Sequence, residues 1–312
     1  MAVSRTVRRE IPAGAQVDQW QAPDGWGLRR FHWPAEGAAR GSLLFQTGRG
    51  DVFEKYLESF AHWHALGWTV TAFDWRGQGG SGRLTPRANC GHIDDFTTYV
   101  ADLRAFAAQW TAETSGPHVV LGHSMGGHLV LRGLMEGAIA PDAAVLVAPM
   151  LGVRSALGKL APPLAGLLAR LGDPRRPAWK GNEKPYTTET RANLLTHDPD
   201  RYADELWWQA QDRALLTGAP SWQWLVAAFR SMADLEKAPL ERVHTPLLLL
   251  VAEADGLVDA RAALRIAPRL PDADVVRFGP ESAHEILREA DPVRNRALAA
   301  IDAFLDARAP RR

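Results

Sequence analysis

The sequence predicts an α/β fold, in which a mostly parallel central sheet is flanked by helices. The first observation is a series of short, continuously apolar segments, which are typical of strands buried on both faces. The second is that segments with helical spacing of apolar residues lie between them, as parallel strands require. The third is a long interruption of this alternation, which predicts a helical cap inserted after the sixth core strand.

Each element is justified by its own pattern of apolar residues. Helices are predicted near residues 52–66, 92–113, 125–137, 261–270 and 292–307; in the second of these, Phe96, Val100, Leu103 and Phe106 recur on one face. The strands are predicted at Ser42–Thr47, Trp68–Asp74, His118–Gly122, Ala144–Ala148, Pro246–Ala252 and Asp274–Phe278.

The interruption divides the chain into three parts. Residues 1–151 are expected to form the first part of the core, 152–242 the inserted cap, and 243–312 the second part of the core. The cap has helical patterns near 199–216 and 221–235 and is rich in tryptophan. Its tryptophans either pack the cap onto the core or line an apolar substrate channel; they are Trp179, Trp207, Trp208, Trp222 and Trp224.

The composition excludes several classes of protein. Among 312 residues, 36 Lys and Arg balance 36 Asp and Glu, so a dedicated nucleic-acid binder is not expected. The single Cys90 excludes an intrachain disulfide and a multi-cysteine metal site. No apolar run approaches the roughly 18 residues of a membrane span, so cytoplasmic residence is expected.

Two features leave peripheral contact with the inner membrane face open as an alternative. The apolar segment Val153–Leu171, broken by Pro162 and Pro163, is either a packed part of the cap or the part that meets lipid aggregates. Basic residues near both ends of the chain are either solvated or in contact with anionic lipid; they are Arg5, Arg8, Arg9, Arg308, Arg311 and Arg312.

The strongest functional signal is Gly122-His123-Ser124-Met125-Gly126, which matches G-x-S-x-G between a predicted strand and a predicted helix. A sharp turn from strand to helix presents the serine hydroxyl at the edge of the sheet, and it needs small residues two positions before and after the serine. The start of the helix also points backbone N–H groups toward developing negative charge. Ser124 is therefore the predicted nucleophile.

A serine nucleophile needs a base and an acid that orients the base. Asp255 and His284 each lie just after a predicted strand, at the edge where open parallel sheets bind their ligands. We predict that Asp255 is the acid and His284 the base. Asp259 and Glu253 remain alternative acids, whereas His284 has no rival after the last strand.

The oxyanion formed during acyl transfer needs two N–H donors. One is expected from the backbone of Met125, which follows the nucleophile. The other is expected from the backbone of Arg49, in the glycine-containing loop after the first apolar strand, with Thr47 and Gly48 shaping the turn. The alternative is that Arg49 acts through its side chain, for instance on a substrate phosphate.

These motifs together resemble the α/β-hydrolase superfamily. The resemblance rests on GHSMGG, on DWRGQGGSGR at Asp74–Arg83, and on the placement of the predicted acid and base, and it covers about residues 28–151 and 246–305. The segment TGRGDVFEKYLESF is most similar to the bacterial lysophospholipase and monoacylglycerol lipase branch, the serine-aminopeptidase-like hydrolases. One departure is that many relatives carry His-Gly where this chain has Thr47-Gly48.

The resemblance implies a serine hydrolase that cleaves one carboxylic ester bond of a lipid with a single acyl chain, through an acyl-enzyme. The expected partner is a small-molecule ester or lipid, and no metal or organic cofactor is implied. A broad-specificity carboxylesterase and an aminopeptidase acting on small peptides or amides stay open. For the aminopeptidase, Glu183, Glu189 or Asp204 would bind the substrate amine.

Overall fold

One eight-stranded sheet forms the centre of the protein in a computed structural model, which describes residues 5–87, 89–155, 157–179 and 188–311. The strands are β1 (Gln16–Gln21), β2 (Gly27–Trp33), β3 (Gly41–Gln46), β4 (Trp68–Phe73), β5 (His118–His123), β6 (Ala143–Val147), β7 (Leu247–Ala252) and β8 (Ala273–Phe278). Their order across the sheet is β1-β2-β4-β3-β5-β6-β7-β8. β2 pairs antiparallel with β1 and β4, and all other neighbours are parallel.

Helices cover both faces of this sheet. The α-helices in the described residues are α1 (Arg5–Arg9), α2 (Leu57–Ala65), α3 (Phe96–Glu113), α4 (Met125–Met135), α5 (Ala161–Arg170), α6 (Thr188–Leu195), α7 (Pro199–Gln211), α8 (Trp222–Lys237), α9 (Ala260–Ile266) and α10 (Asp291–Arg308). Turns of 3-10 helix occupy Phe53–Tyr56, Gly158–Leu160, Arg213–Leu215, Leu240–Arg242, Ala267–Arg269 and Ile286–Arg288. None of the helices within the described ranges combines the length and the apolar character needed to cross a bilayer.

The apolar core lies in two layers, one on each face of the sheet. On β3, Leu44 joins the layer under α3 and α4, whereas Leu43 and Phe45 join the layer under α2 and α10. Alternate residues of one strand therefore enter opposite layers, as the pleat of a strand requires. Because both layers are buried, Leu43, Leu44 and Phe45 are all apolar, and the predicted, mostly parallel α/β fold is confirmed.

The segment between β6 and β7 contains α5 to α8, so helices are inserted after the sixth strand as predicted. β6 corresponds to the fourth predicted strand segment, Ala144–Ala148, because β1 and β2 were not predicted. We call residues 152–242 the β6–β7 segment. Within it α5 packs against α8. The predicted helical patterns near 199–216 and 221–235 correspond to α7 and α8.

The sequence patterns did not predict β1 and β2. Residues of β1 are mostly exposed, with only Trp20 buried. An antiparallel edge strand keeps one face in water, so it lacks the continuous apolar run of a central strand. The helix predicted from residue 92 begins instead at Phe96, because the Asp95 carboxylate accepts a hydrogen bond from the Thr97 N–H at 2.8 Å and caps it.

Candidate active site

Ser124 lies at the sharp turn between β5 and α4. Its backbone has φ of 52° and ψ of −116°, a sparsely populated conformation that costs a non-glycine residue about 1–3 kcal/mol. A Cβ at Gly126 would lie 2.4 Å from the Gln46 carbonyl oxygen, and one at Gly122 would lie 2.7 Å from the Gly126 carbonyl oxygen. Glycine at these two positions therefore lets the strand turn into the helix beside the end of β3.

Asp255 and His284 form a buried pair. Asp255 follows β7 and His284 follows β8, and the His284 Nδ1 lies 2.6 Å from the Asp255 Oδ2. The other oxygen of Asp255 accepts hydrogen bonds from the N–H groups of Leu257 at 2.7 Å and Val258 at 3.0 Å. The carboxylate is thus fixed by its own loop and faces the imidazole.

This pairing sets the ionisation of both groups. Burial favours the neutral imidazole, yet the adjacent Asp255 carboxylate raises the pKa of His284 above its ordinary value. Burial likewise favours the neutral acid, yet the charge and hydrogen bond of His284 lower the pKa of Asp255 below its ordinary value. At neutral pH the pair can therefore accept a proton on His284 while Asp255 stays ionised.

The two alternative acids lie elsewhere. The Asp259 carboxylate accepts a hydrogen bond from the Arg261 N–H at 3.1 Å and caps α9. Glu253 forms an ion pair with Arg277 on β8. Of the three acids considered, Asp255 is the one that contacts His284.

Ser124 and His284 line one cavity of about 530 Å³. Both side chains are largely buried, and the cavity lies between the ends of the parallel strands and the β6–β7 segment. Much of its wall is apolar and comes from that segment, which is typical of a small-molecule site. These apolar residues include Val153, Leu157, Ala161, Leu164, Ala165, Trp179, Leu194, Leu195, Trp222, Trp224, Leu225 and Phe229.

The loop after β3 passes close to Ser124. A Cβ at Gly48 would lie 3.2 Å from the Ser124 Cβ, so the loop backbone approaches the serine closely because this residue is glycine. The Gly48 N–H donates to the Asp51 carboxylate at 3.3 Å. The next backbone N–H along the chain belongs to Arg49, and Met125 begins α4 on the other side of Ser124.

The Arg49 side chain is directed toward the β6–β7 segment. Its Nη1 donates to the Gly218 carbonyl at 3.0 Å, and its guanidinium carbon lies 5.8 Å from the Trp224 ring centroid. Both Arg49 and Trp224 line the cavity. The side chain thus contributes a positive charge to the cavity wall.

A buried network of charges lies beside the pair of Asp255 and His284. The Lys55 Nζ is 2.6 Å from an oxygen of Asp51, 2.6 Å from Glu285 and 3.0 Å from Glu205. Burial favours the neutral amine, but these three carboxylates raise the pKa of Lys55 above its ordinary value. Lys55 therefore stays charged and links the loop after β3, the residue after His284, and α7.

A second set of contacts connects this network to the residue before Ser124. The Tyr56 hydroxyl donates to the Asp51 carboxylate at 2.7 Å and lies 2.8 Å from the His123 Nδ1. The His123 Nε2 is 3.3 Å from the carbonyl oxygen of His284. The residue before Ser124 is thus held between the loop after β3 and the loop that carries His284.

The β6–β7 segment also contacts the His284 loop through its backbone. The His284 N–H donates to the Leu194 carbonyl at 3.2 Å, and the Glu285 N–H donates to the Leu195 carbonyl at 2.7 Å. Both leucines lie at the end of α6 and line the cavity. The position of His284 therefore depends on this part of the inserted segment.

The sequence analysis missed Lys55, Glu205, Glu285 and Arg191 as residues near the site. One signal was available, since Glu285 directly follows the predicted base. The others are far apart in the chain and carry no motif, so only their packing brings them together. Lys55 lies within the segment that carried the resemblance, but no role was assigned to it.

The tryptophans of the β6–β7 segment divide between the two predicted roles. Trp179, Trp222 and Trp224 line the cavity. The rings of Trp207 and Trp208 contact each other at 4.8 Å, and the Trp208 indole N–H donates to the Arg8 carbonyl at 2.9 Å. This second pair packs α7 against the N-terminal helix.

Of the three acidic residues considered for an aminopeptidase, the structure describes the side chain of Asp204. Asp204 forms ion pairs with Arg8 at 2.7 Å and Arg9 at 2.6 Å. Glu183 and the side chain of Glu189 lie outside the described residues. The buried acids on the cavity wall within the described residues are instead Asp51 and Glu285.

Curated relatives match most of the chain. Lysophospholipase L2 of Escherichia coli is 32% identical over 281 residues, covering 85% of this chain and 80% of that protein. A monoacylglycerol lipase of Mycolicibacterium smegmatis is 24% identical over 268 residues, covering 83% of this chain and 86% of its own. The resemblance predicted from the motifs is thereby confirmed.

Solved structures show the same fold. A soluble variant of monoglyceride lipase from Saccharomyces cerevisiae matches with a TM-score of 0.77 and 20% identity, covering 97% of each chain. The model of the family described as "Serine aminopeptidase, S33" matches residues 37–291, which include β3 to β8 and the loops of Ser124, Asp255 and His284. The chain therefore belongs to the serine aminopeptidase S33 family of α/β-hydrolases.

Proposed function

We propose that this protein is a serine hydrolase that cleaves the carboxylic ester of a lipid with a single acyl chain. The observation that carries the proposal is that His284, which is paired with Asp255, lines the same cavity as Ser124 at its strained turn. The protein is a carboxylic ester hydrolase. The names of its relatives, lysophospholipase and monoacylglycerol lipase, agree with this chemistry.

The mechanism assigns one role to each residue. His284 removes the proton of the Ser124 hydroxyl, whose oxygen attacks the ester carbonyl, and the N–H groups of Met125 and Arg49 stabilise the oxyanion. His284 then donates its proton to the leaving alcohol, and an acyl-enzyme remains on Ser124. Water activated by His284 releases the fatty acid by the same steps. Asp255 orients the imidazole and stabilises its cation.

We also propose that the β6–β7 segment, residues 152–242, is the cap of this enzyme over a core formed by residues 1–151 and 243–312. Its apolar residues line the cavity that Ser124 also lines. A single acyl chain is the ligand that such a wall favours, since burying apolar surface contributes about 25 cal/mol per Å². This argument supports a lipid ester over an amino-acid amide.

Labelling with a fluorophosphonate probe tests the proposal. We expect stoichiometric labelling at Ser124, because His284 activates that hydroxyl, and we expect no labelling of Ser124→Ala. A rate panel of lysophospholipids, monoacylglycerols, short aryl esters and amino-acid amides then measures kcat/KM by product release. The surface variant Ser115→Ala, at an exposed serine that does not line the cavity, is the matched control and should label like the wild type. An unlabelled wild-type protein, or a preference for the amides, would contradict the proposal.

We further propose that the enzyme docks on the cytoplasmic face of a membrane through α5 and the turn before it. Leu157, Leu160, Leu167 and Leu171 are each more than half exposed there, and the cavity opens beside Leu157. Exposed cations flank this patch and complement anionic lipid; they are Arg154, Lys159, Arg170 and Arg175.

The basic residues near the chain ends are the other feature that suggested membrane contact. Arg8 and Arg9 form ion pairs with Asp204, and Arg308 forms one with Asp272. Arg312 lies outside the described residues.

The double variant Leu160→Ser with Leu167→Ser tests this docking. We expect its cosedimentation with phosphatidylglycerol vesicles to fall at least tenfold, since each buried leucine contributes about 1.5–3 kcal/mol. Hydrolysis of a monomeric short-chain ester should stay near the wild-type rate. A matched double variant, Val17→Ser with Val275→Ser, changes exposed residues of β1 and β8 instead. Equal vesicle binding by both double variants would refute the proposed surface.

A further inference from the structure

The segment Asp74–Arg83 carries part of the family resemblance, and Gln78 within it has no role in the proposed mechanism. The Gln78 side chain is buried, and its amide binds the loop that follows β3. Its Nε2 donates to the Gly48 carbonyl at 2.8 Å, and its Oε1 accepts the Gly50 N–H at 3.0 Å. We propose that Gln78 is a positioning residue that orients the Arg49 N–H toward the oxyanion; this inference rests on the proposed function.

The peptide group between Gly48 and Arg49 is the link between Gln78 and the oxyanion. It carries both the Gly48 carbonyl and the Arg49 N–H, and it is planar and trans, so these two groups point in opposite directions. Because Gln78 binds the carbonyl, the N–H is directed away from Gln78. Gly48 and Arg49 line the cavity, whereas Gln78 does not. The hydrogen bond from Gln78 therefore holds this peptide with its N–H on the side of the cavity.

The same amide holds the next peptide in the opposite sense. The Gly50 N–H points to the Gln78 Oε1, and the Gln78 Nε2 also lies 3.3 Å from the Asp51 carbonyl oxygen, to which it donates. Gly50 has a φ of 64°, in the left-handed region that favours glycine. One side chain thus fixes the two peptides that flank Arg49.

The backbone of the loop does not fix this orientation by itself. Gly48 has no Cβ, which lets the loop approach the Ser124 side chain closely. The same lack of a side chain permits a wide range of ψ at Gly48, and this angle rotates the peptide that carries the Arg49 N–H. An external hydrogen bond to the Gly48 carbonyl restricts that rotation. It also polarises the peptide, which strengthens the N–H as a donor.

The segment that carries Gln78 is itself firmly held. The Gln78 N–H donates to the Trp75 carbonyl at 3.1 Å, and the Gln78 carbonyl accepts the Ser81 N–H at 3.0 Å. The indole N–H of the buried Trp75 donates to the Thr47 carbonyl at 2.9 Å, so a second side chain of this segment binds the loop after β3. Buried support of this kind provides the fixed geometry that an oxyanion donor needs.

Two ketones that share one decyl chain test this role. The trifluoromethyl ketone forms a bond from the Ser124 Oγ to its carbonyl carbon, the proton moves to His284, and the carbonyl oxygen becomes an oxyanion. The methyl ketone is a weaker electrophile and binds mainly without this addition. We expect Gln78→Met to raise the Ki of the trifluoromethyl ketone about tenfold or more, because a misdirected donor loses part of the about 10²–10³-fold that such a donor contributes. The Ki of the methyl ketone should stay within about twofold.

Gln223→Met provides the matched control. Gln223 is a glutamine of α8 whose Nε2 donates to the Asp94 carbonyl at 2.9 Å, and it does not line the cavity. Its replacement removes the same kind of hydrogen bond at a distant place, so neither Ki should change by more than about twofold.

Gln78→Glu tests rescue within a single protein. A protonated glutamic acid has one acceptor and one donor in the places of the amide, whereas the ionised form cannot donate to the Gly48 carbonyl. The Ki of the trifluoromethyl ketone, divided by the wild-type value at the same pH, should be raised at pH 9 and return to about one at pH 5. Dividing by the wild-type value cancels the titration of His284. This comparison also decides the question if Gln78→Met does not fold.

Three results would refute the positioning role. They are an equal rise of both Ki values in Gln78→Met, an unchanged Ki of the trifluoromethyl ketone in that variant, and a ratio for Gln78→Glu that does not vary with pH. The acid limb of kcat/KM should stay in place in Gln78→Met, because the contact between Asp255 and His284 is intact; a moved limb would assign the effect to the base. A wild type that binds both ketones equally would instead refute the proposed function.

Discussion

Replacing either Ser124 or His284 by alanine is expected to lower kcat by about a million-fold, and replacing both should cost no more than replacing one. The two groups act as one unit, because the hydroxyl is a weak nucleophile without a base and the base has no proton to remove without the hydroxyl. Once either is absent, the other contributes nothing further. Steady-state release of the aryl alcohol from a short aryl ester at saturating concentration measures kcat for all three variants.

A residual rate about 10³-fold or more above that in water is expected in each variant, because in the proposed mechanism the N–H groups of Met125 and Arg49 would still stabilise an oxyanion. His64→Ala provides the matched control; His64 stacks on Trp33 at a centroid distance of 3.8 Å, away from the cavity. That variant should keep the wild-type kcat. Multiplicative losses in the double variant would mean that Ser124 and His284 act independently, which the proposed mechanism does not allow.

The central sheet could be predicted from the sequence because its strands are buried on both faces. Continuous apolar segments such as Pro246–Ala252 differ clearly from the helices around them, and the observed strand β7 spans Leu247–Ala252. The edge strand β1 and its neighbour β2 were missed, since β1 is mostly exposed and β2 is only partly buried and carries Arg29, Arg30 and His32. The antiparallel pairing of β2 with β4 has no signature in a single sequence.

The pairing of Asp255 with His284 could be predicted for a topological reason. Parallel strands end at a common edge, so residues that follow two neighbouring strands come close together whatever their separation in the chain. No comparable topological rule predicts the network of ion pairs around Lys55. Glu205 belongs to α7 and Glu285 to the loop after β8, and their approach to Lys55 depends on how the β6–β7 segment packs. Local sequence patterns do not predict how an inserted segment packs on the rest of the protein. The proximity of these residues to Lys55 is therefore evident only from the structure.

Asp255→Asn is expected to lower kcat/KM by about 10⁴-fold and to shift its pH profile. The neutral imidazole is the active form, so the rate falls as the pH drops through the pKa of His284. In the wild type the Asp255 carboxylate raises that pKa against the effect of burial. Without the Asp255 carboxylate, burial lowers the pKa of His284 against only the weaker opposing effects of Glu285 and Asp51, and the acid limb of the profile should move to lower pH. Measuring kcat/KM on one aryl ester across pH 4 to 9 records both changes.

The alternative acid supplies the control for this shift. Asp259→Asn keeps a side chain that can still accept the Arg261 N–H at the start of α9, so its rate and acid limb should match the wild type. The direction of the shift separates two roles of Asp255. If Asp255 only oriented His284, its loss would lower the plateau and leave the acid limb in place; if its charge also stabilises the imidazolium, the limb must move down. A limb that moves up in Asp255→Asn, or that moves in Asp259→Asn instead, would remove Asp255 from the proposed triad.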